Sequence, residues 1–413
     1  LKDLDLLEVC SLKPLLDGKA LAKALDTPPG PWMKDALDVV MAWQLRNSAT
    51  ATAEEAIEKV RTKRGELTSA LVRHFLKLTI RPMFIKTRPL QVTEQGRKIA
   101  TPILPQKLTA QSVEESVQKP WKTSKDSHAL DLLKWIANAL DENLVEDVWS
   151  TIVPPVLTLI DDWEAKYKTI GAELLHLMLN ATPPSLLERT GLGEVFEGAV
   201  MPCLNYIPSI TSEDESIMLL SAVYPAILSL SRVRYPKQPP VGSKVTTEER
   251  NRQRIKFLDS VVRKGIINSY SLCNQYPRIT SLLFEQLSTL LQELALDSVK
   301  HLKIILPMLN EALSHPLGVV VPSNLIRATE AMQTVVLSCW PRMKEHQAEV
   351  LKGVTKCWLN IEAKDGDTIT VLRSRLQTTV AMLRSAVGDE ERFNADCAAL
   401  ILADVRLSGL LKP

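Results

Sequence analysis

Residues Val153–Leu179 read VPPVLTLIDDWEAKYKTIGAELLHLML. Up to Ile160 this is an apolar helix interrupted by Pro154 and Pro155, and Asp161 and Asp162 close it. After a short polar turn, Ile170, Leu174, Leu175, Met178 and Leu179 recur at three- and four-residue spacing, which sets them along one face of a second helix. Two amphipathic helices hinged by a few polar residues are the unit of an all-α, HEAT-like α-solenoid. Such a pair cannot bury its apolar face alone and must stack on neighbours. Stacks of this kind are mostly scaffolds, so the stretch points toward binding and away from catalysis.

The text on either side extends the pattern. From His128 onward, helical segments follow almost without interruption, apart from the polar loop PKQPPVGSKVTT at 236–247. Pro155-Val156-Leu157, Pro202-Cys203-Leu204 and Pro307-Met308-Leu309 each set a proline inside the first helix of a candidate pair, the first two 47 residues apart. Prolines so placed kink a helix and let it follow a superhelical curve. Upstream, LTSALVRHFLKLTIRPMF reads as an amphipathic helix broken at Pro82. The stretch 85–126, rich in Pro, Lys, Thr and Ser, has little periodicity and is expected to be a linker or an arm wrapped on a partner or on the body. Before residue 63 come a short helix after Gly18 and a second after the Pro28–Pro31 turn. The second carries Trp32, Ala36, Val39, Val40 and Trp43 on one side, and a third helix is capped by Thr52. The expected organisation is a helical appendage (1–63), a helix with a Pro-rich segment (66–126), a first repeat block (127–235), the loop (236–247) and a second repeat block (248–413).

Composition agrees with this plan. A chain of 413 residues is too long for one compact helical core but natural for a stacked array, and its 15 glycines leave room for long helices. With 45% hydrophobic and 24% charged residues the chain is expected to fold. A formal net charge of +2 gives no global reason to seek nucleic acid or an anionic membrane. Cys10, Cys203, Cys273, Cys339, Cys357 and Cys397 show no paired spacing, which reads as free thiols in a reducing compartment. No run of eighteen apolar residues suggests a membrane span. The chain opens at Leu1 with neither methionine nor a signal-peptide pattern, as a fragment would.

Catalytic and metal signals are weak. His74, His128, His176, His301, His315 and His346 show no HxxxH or HExxH spacing, and there is no Walker glycine loop, GxGxxG or GxSxG. No cofactor is expected. Asp161-Asp162 is a tight carboxylate pair, but it closes a helix before a turn, where acids cap the next helix. Lys59, Arg61, Lys63 and Arg64 read as a helix end, and Glu248 to Lys256 as a charged helix entry; solvated faces compete there with nucleic-acid contact. Trp135, Trp149 and Trp163 read as packing residues, whereas an exposed tryptophan would be an interface anchor.

Two stretches carry resemblances. LVRHFLKLTIRPMF, VTEQGRK, the KPW at Lys119–Trp121, VWSTIVPPVLTLIDDWEAKYKTIGAELL, LLERTGLGEVFEGAVMPCLNYIP and LLSAVYPAILSL together resemble the family of the second Tel-Two-interacting protein, the smallest subunit of the TTT co-chaperone complex. That resemblance covers about residues 66–413, although the C-terminal third is generic solenoid. It implies a non-catalytic scaffold whose partners are the other two TTT subunits, the Tel-Two and Tti-One proteins. These link it to the Hsp-ninety machinery and to kinases of the TOR and ATM/ATR class in cytoplasm and nucleus. Residues 1–63, through LKPLLDGKALAKAL and PGPWMKDALDVVMAWQLRN, resemble the C-terminal tail of eukaryotic CCA-adding tRNA nucleotidyltransferases. There the tail helps hold the tRNA body. The paired metal-binding aspartates and the arginine motif of that family's catalytic head do not occur in this chain. A tRNA-binding accessory and a different solenoid adaptor are the alternative functions. As interface positions the reading names Lys119, Pro120, Trp121, Asp161, Asp162, Tyr167 and Lys168, with intramolecular packing or capping as the competing role of each.

Overall fold

The computed structural model describes residues 15–47, 52–85, 89, 91–99, 119–123, 126–238 and 246–412. Among the described residues there is no β-strand, only an isolated bridge between Val92 and Lys98. The N-terminal unit contains α1 (Gly18–Ala24), α2 (Trp32–Arg46) and the first turns of α3 (Ala53–Phe75). The same helix continues through a π segment, Leu76–Ile80, into α4 (Arg81–Phe84). Next come α5 (His128–Asn138), α6 (Glu142–Ile160), α7 (Ala165–Ala181), α8 (Pro184–Thr190), α9 (Gly193–Val200), the 3-10 turn Met201–Asn205 and α10 (Glu213–Arg234). The second block begins with α11 (Thr247–Val261), which runs through a π segment, Val262–Ile267, into α12 (Asn268–Cys273). It ends with α13 (Pro277–Leu294), α14 (Leu302–Ser314), α15 (Pro322–Ser338), α16 (Met343–Ile361), α17 (Asp367–Val387), α18 (Glu390–Ala403) and α19 (Ser408–Leu411).

These helices form two rows. One row is α7, α10, α13, α15 and α17, each packed on the next. The other runs from α6 through α9 and the 3-10 turn to the α11–α12 helix, α14 and α16. Between the rows lies a continuous apolar core, the arrangement expected of a HEAT-like solenoid. The opening stretch folds as read: α6 ends at Ile160 and α7 turns Leu174, Leu175, Met178 and Leu179 fully inward. The helices of this hairpin approach so closely that a Cβ on Gly171 would lie 2.6 Å from the Ile160 backbone nitrogen. Row neighbours are also tied by polar contacts. The ring Nδ1 of His176 on α7 sits 2.9 Å from Ser229 Oγ on α10, and the Tyr270 hydroxyl on α12 donates to the Met308 carbonyl on α14 at 3.4 Å.

Three expectations change. The division between helices at residues 63–66 is absent, because α3 runs unbroken through it. Gly65 costs a helix interior only about 1 kcal/mol. The helix is anchored on one side by Val60 and on the other by Val72, with Lys63 Nζ 2.8 Å from Glu66 Oε2 across the glycine. The basic cluster is therefore mid-helix, where Arg61 donates to the Ala24 carbonyl at 3.0 Å and Arg64 to Thr27 Oγ1 at 3.3 Å. Of the repeated prolines, Pro155 and Pro307 lie inside α6 and α14, but Pro202 lies in the first residues of the 3-10 turn that follows α9. One described helix, α10, is long and apolar enough to cross a membrane, yet it lies in the core, packed on α7.

Candidate partner interface

The named positions converge at the turn between α6 and α7. Asp162 is buried, and Lys119 Nζ and Lys122 Nζ reach its two carboxylate oxygens at 2.5 and 2.8 Å. Lys122 also lies 2.5 Å from Glu164, and the Glu164 N–H donates to Asp162 Oδ1 at 3.0 Å. Burial pushes the Asp162 carboxyl upward, but the lysine hydrogen bonds and this N–H outweigh it and hold the pKa below the usual carboxylate range. For Lys122, desolvation is likewise outweighed by Asp162 and Glu164, and its pKa rises.

Between these lysines, Trp121 enters the core and stacks on Phe84 at the end of α4, with ring centroids 4.3 Å apart and planes 10° from parallel. The Lys122 ammonium also rests over the Tyr167 ring, 4.5 Å from its centroid. Lys168, buried on α7, donates to the Ile160 carbonyl at 2.6 Å and lies 5.0 Å from the Tyr206 ring. It places a cation on the C-terminus of α6, where the helix dipole favours one. The segment 119–123 is thus clasped against the α6–α7 hairpin by a stacked tryptophan and two lysines.

All seven positions lie in one corner, and Trp121, Asp162, Tyr167 and Lys168 are buried there. Pro120 and Asp161 face solvent. Asp161 closes α6 as read, while the acid that receives the next N–H is Asp162. The tryptophans divide. Trp149 is buried and donates to the Gly96 carbonyl at 3.0 Å, as a packing residue should. Trp163 is 75% exposed and Trp135 40% exposed, against expectation. Trp163 occupies the four-residue turn 161–164, where its ring faces the Lys122 ammonium at 5.3 Å and not the apolar core, so neighbouring apolar text was a poor guide to its burial.

The described part of the 85–126 segment lies on the body. Gly96, at φ +69°, turns tightly against Trp149, the Lys98 N–H donates to the Thr190 carbonyl at 3.0 Å, and Lys98 pairs with Glu194. The rest of the proposed arm lies outside the described residues. The charged entry of α11 is less solvated than its pattern suggested. Buried Arg250 reaches Glu188 at 3.4 Å and Arg254 reaches Glu293 at 3.4 Å, tying α11 to α8 and α13. Sequence reading missed these ties because their partners lie 62 and 39 residues away.

Among the described residues no three His, Cys, Asp or Glu side chains gather as a metal site. The five described cysteines are free and buried. Burial pushes their thiols up, Cys203 and Cys273 to about 11 and Cys357 to about 12, which is the reverse of nucleophile activation. The corner can hold segments together by charge and stacking; among its described residues no nucleophile is paired with a base.

Comparison with known proteins adds the relationship. TEL2-interacting protein 2 of Saccharomyces cerevisiae is 21% identical over 368 residues, covering 86% of this chain and 80% of the yeast protein. Nucleotidyltransferase lcsQ of Purpureocillium lilacinum is 51% identical over 65 residues, which is 16% of this chain and 11% of that protein. No solved structure matches the chain. The profile of the Tti2 family matches residues 39–320, beginning within α2 and ending just before α15. The chain belongs to the Tti2 family.

Proposed function

We propose that this chain is a non-catalytic scaffold subunit of a TTT co-chaperone complex, bound to a Tel-Two-type and a Tti-One-type subunit. With the Hsp-ninety machinery, that complex supports the folding and assembly of phosphatidylinositol-kinase-related kinases of the TOR and ATM/ATR class. The observation that carries the reading is the family match over residues 39–320, which takes in both rows of the first repeat block. The name of the yeast relative points to a TEL2 protein as one partner. The physical design is compatible with this role, since a two-row solenoid offers a long surface and its described thiols are buried and unactivated. Such a subunit works in the cytoplasm and nucleus, where those kinases are made and used.

A second reading, tRNA binding through residues 1–63, is favoured by the short stretch of 51% identity to a nucleotidyltransferase. One purification separates the two. The full chain is recovered from its source cells at moderate salt, and bound proteins and RNA are identified. Recovery of the two larger TTT subunits together with giant kinases supports the scaffold. Salt-sensitive tRNA without those subunits overturns it.

A further inference from the structure

Helix α3 has apolar residues on two sides. One side enters the core through Val72 and, in the π segment that continues it, Leu76 and Ile80. On the outward side, Leu67, Leu71 and Phe75 follow one another at i, i+4 and i+8, which makes a continuous ridge. Leu67 is 63% exposed and Leu71 37% exposed. Phe75 meets Trp135 of α5 edge-on at 6.2 Å, so the ridge runs onto the solenoid body, with exposed Leu78 beside it. Between Val60 and Val72 no residue of α3 is buried. A helix that is apolar on two sides is built for contact on both.

The charges around the ridge say what the second contact is. From Lys59 to Arg81 there are seven lysines and arginines and one acid, Glu66; Lys63 pairs with Glu66 and Arg73 with Asp147 of α6, so the surplus rests on the others. Lys77 and Arg81 are exposed at the end of the ridge. We propose that the Leu67–Leu71–Phe75 ridge docks an acidic amphipathic helix of a partner subunit, apolar side on the leucines and carboxylates on the flanking lysines and arginines. A nucleic-acid backbone would use the cations but leave the leucines facing water, so the apolar ridge favours a protein helix. The flanking cations would speed encounter and set orientation, while affinity would come from the leucines. The identity of the partner as a TTT subunit rests on the proposed function; the ridge and its chemistry do not.

The test reconstitutes the full chain with the two larger TTT subunits. The double variant Leu67→Glu/Leu71→Glu should weaken assembly at least about tenfold, while Leu402→Glu on exposed α18 should leave it within about twofold. The milder Leu67→Ala/Leu71→Ala pair guards against misfolding, with unchanged circular dichroism as the control, and should weaken assembly about threefold or more. A photo-crosslinker at position 71 should capture an acidic amphipathic segment of a partner subunit. Unchanged assembly by folded variants overturns the proposal, as does capture of a peptide from this same chain or of tRNA. Failure of the unmodified chain to bind either subunit overturns the proposed function and, with it, the assignment of the occupant.

Discussion

The N-terminal unit buries Leu21, Ala36, Val40, Ala56 and Val60, whereas the solenoid body buries one continuous core from Val72 to Leu411. Both are all-helical and both are written in amphipathic text. Two of the five buried residues in the small core are alanines, and Trp32 and Trp43 of its second helix pack only from its edge. In the body the row helices pack on neighbours along their row and across the core, so most of their apolar stripes are covered. What connects the two is α3, whose first turns belong to one core and whose last turns belong to the other. Amphipathicity thus decides that helices form, and the number of neighbours decides how firmly they are held. A unit with so small a core is expected to open below the temperature at which the body melts.

Substitutions can break that comparison or sharpen it. The largest effect is expected from Trp121→Ala, which removes the ring stacked on Phe84 and should cost about 3–5 kcal/mol. Its signature is a lowered main transition in calorimetry; movement of an early minor transition alone would mean that 119–123 is not part of the body. Leu21→Ala should cost about 2–4 kcal/mol and act on the small core alone. Hydrogen exchange should then accelerate in α1 and α2 while α13 and α15 stay protected. Equal acceleration everywhere would show that the two cores unfold as one.

Asp162→Asn tests the clasp. It leaves Lys119 without its carboxylate and Lys122 with Glu164 alone, and because both ammoniums partly reach water the cost should be about 2 kcal/mol. The pH dependence has a fixed sign. With its folded pKa held below the ordinary value of 3.8, Asp162 contributes fully above that pH and the contribution is lost as pH falls through the lowered value. The unmodified chain should therefore lose stability over that acid range more steeply than the Asp162→Asn variant, as read by denaturant midpoints at a series of pH values. The smallest expected effect is from Gly65→Ala. A Cβ there meets nothing within 4 Å, so α3 should gain about 0.5–1 kcal/mol where it bridges the two cores. The gain should appear as slower exchange in residues 61–71; loss of stability would mean that the bridge is not a regular helix in solution.

Much of the molecule was legible before any coordinates. Leu174, Leu175, Met178 and Leu179 fixed the inward face of α7 because a helix repeats its surface every three to four residues. Thr52 marked the start of α3, where its hydroxyl accepts the Glu55 N–H at 3.3 Å. The end of α6 at Asp161 was equally plain. Local text failed where the deciding partner was remote. Trp121 could be named but not placed, because Phe84 reaches it only through the fold. Trp163 read like its buried neighbours although its turn leaves it largely in solvent, beside the Lys122 ammonium. Lys63 and Arg64 looked like a helix end, yet the cores on either side carry the helix through.

The sequence by itself determined that the chain is helical, where most helices begin, which faces are apolar, and that pairs of them must stack. These are properties of short windows, set by periodicity, capping and proline. Tertiary structure alone decided that Asp162 is a buried junction for two lysines, that Arg250 and Arg254 tie α11 to α8 and α13, and that Leu67 and Leu71 on α3 are exposed. Each of those depends on which groups meet across tens of residues, and burial and charge pairing are defined only once they meet.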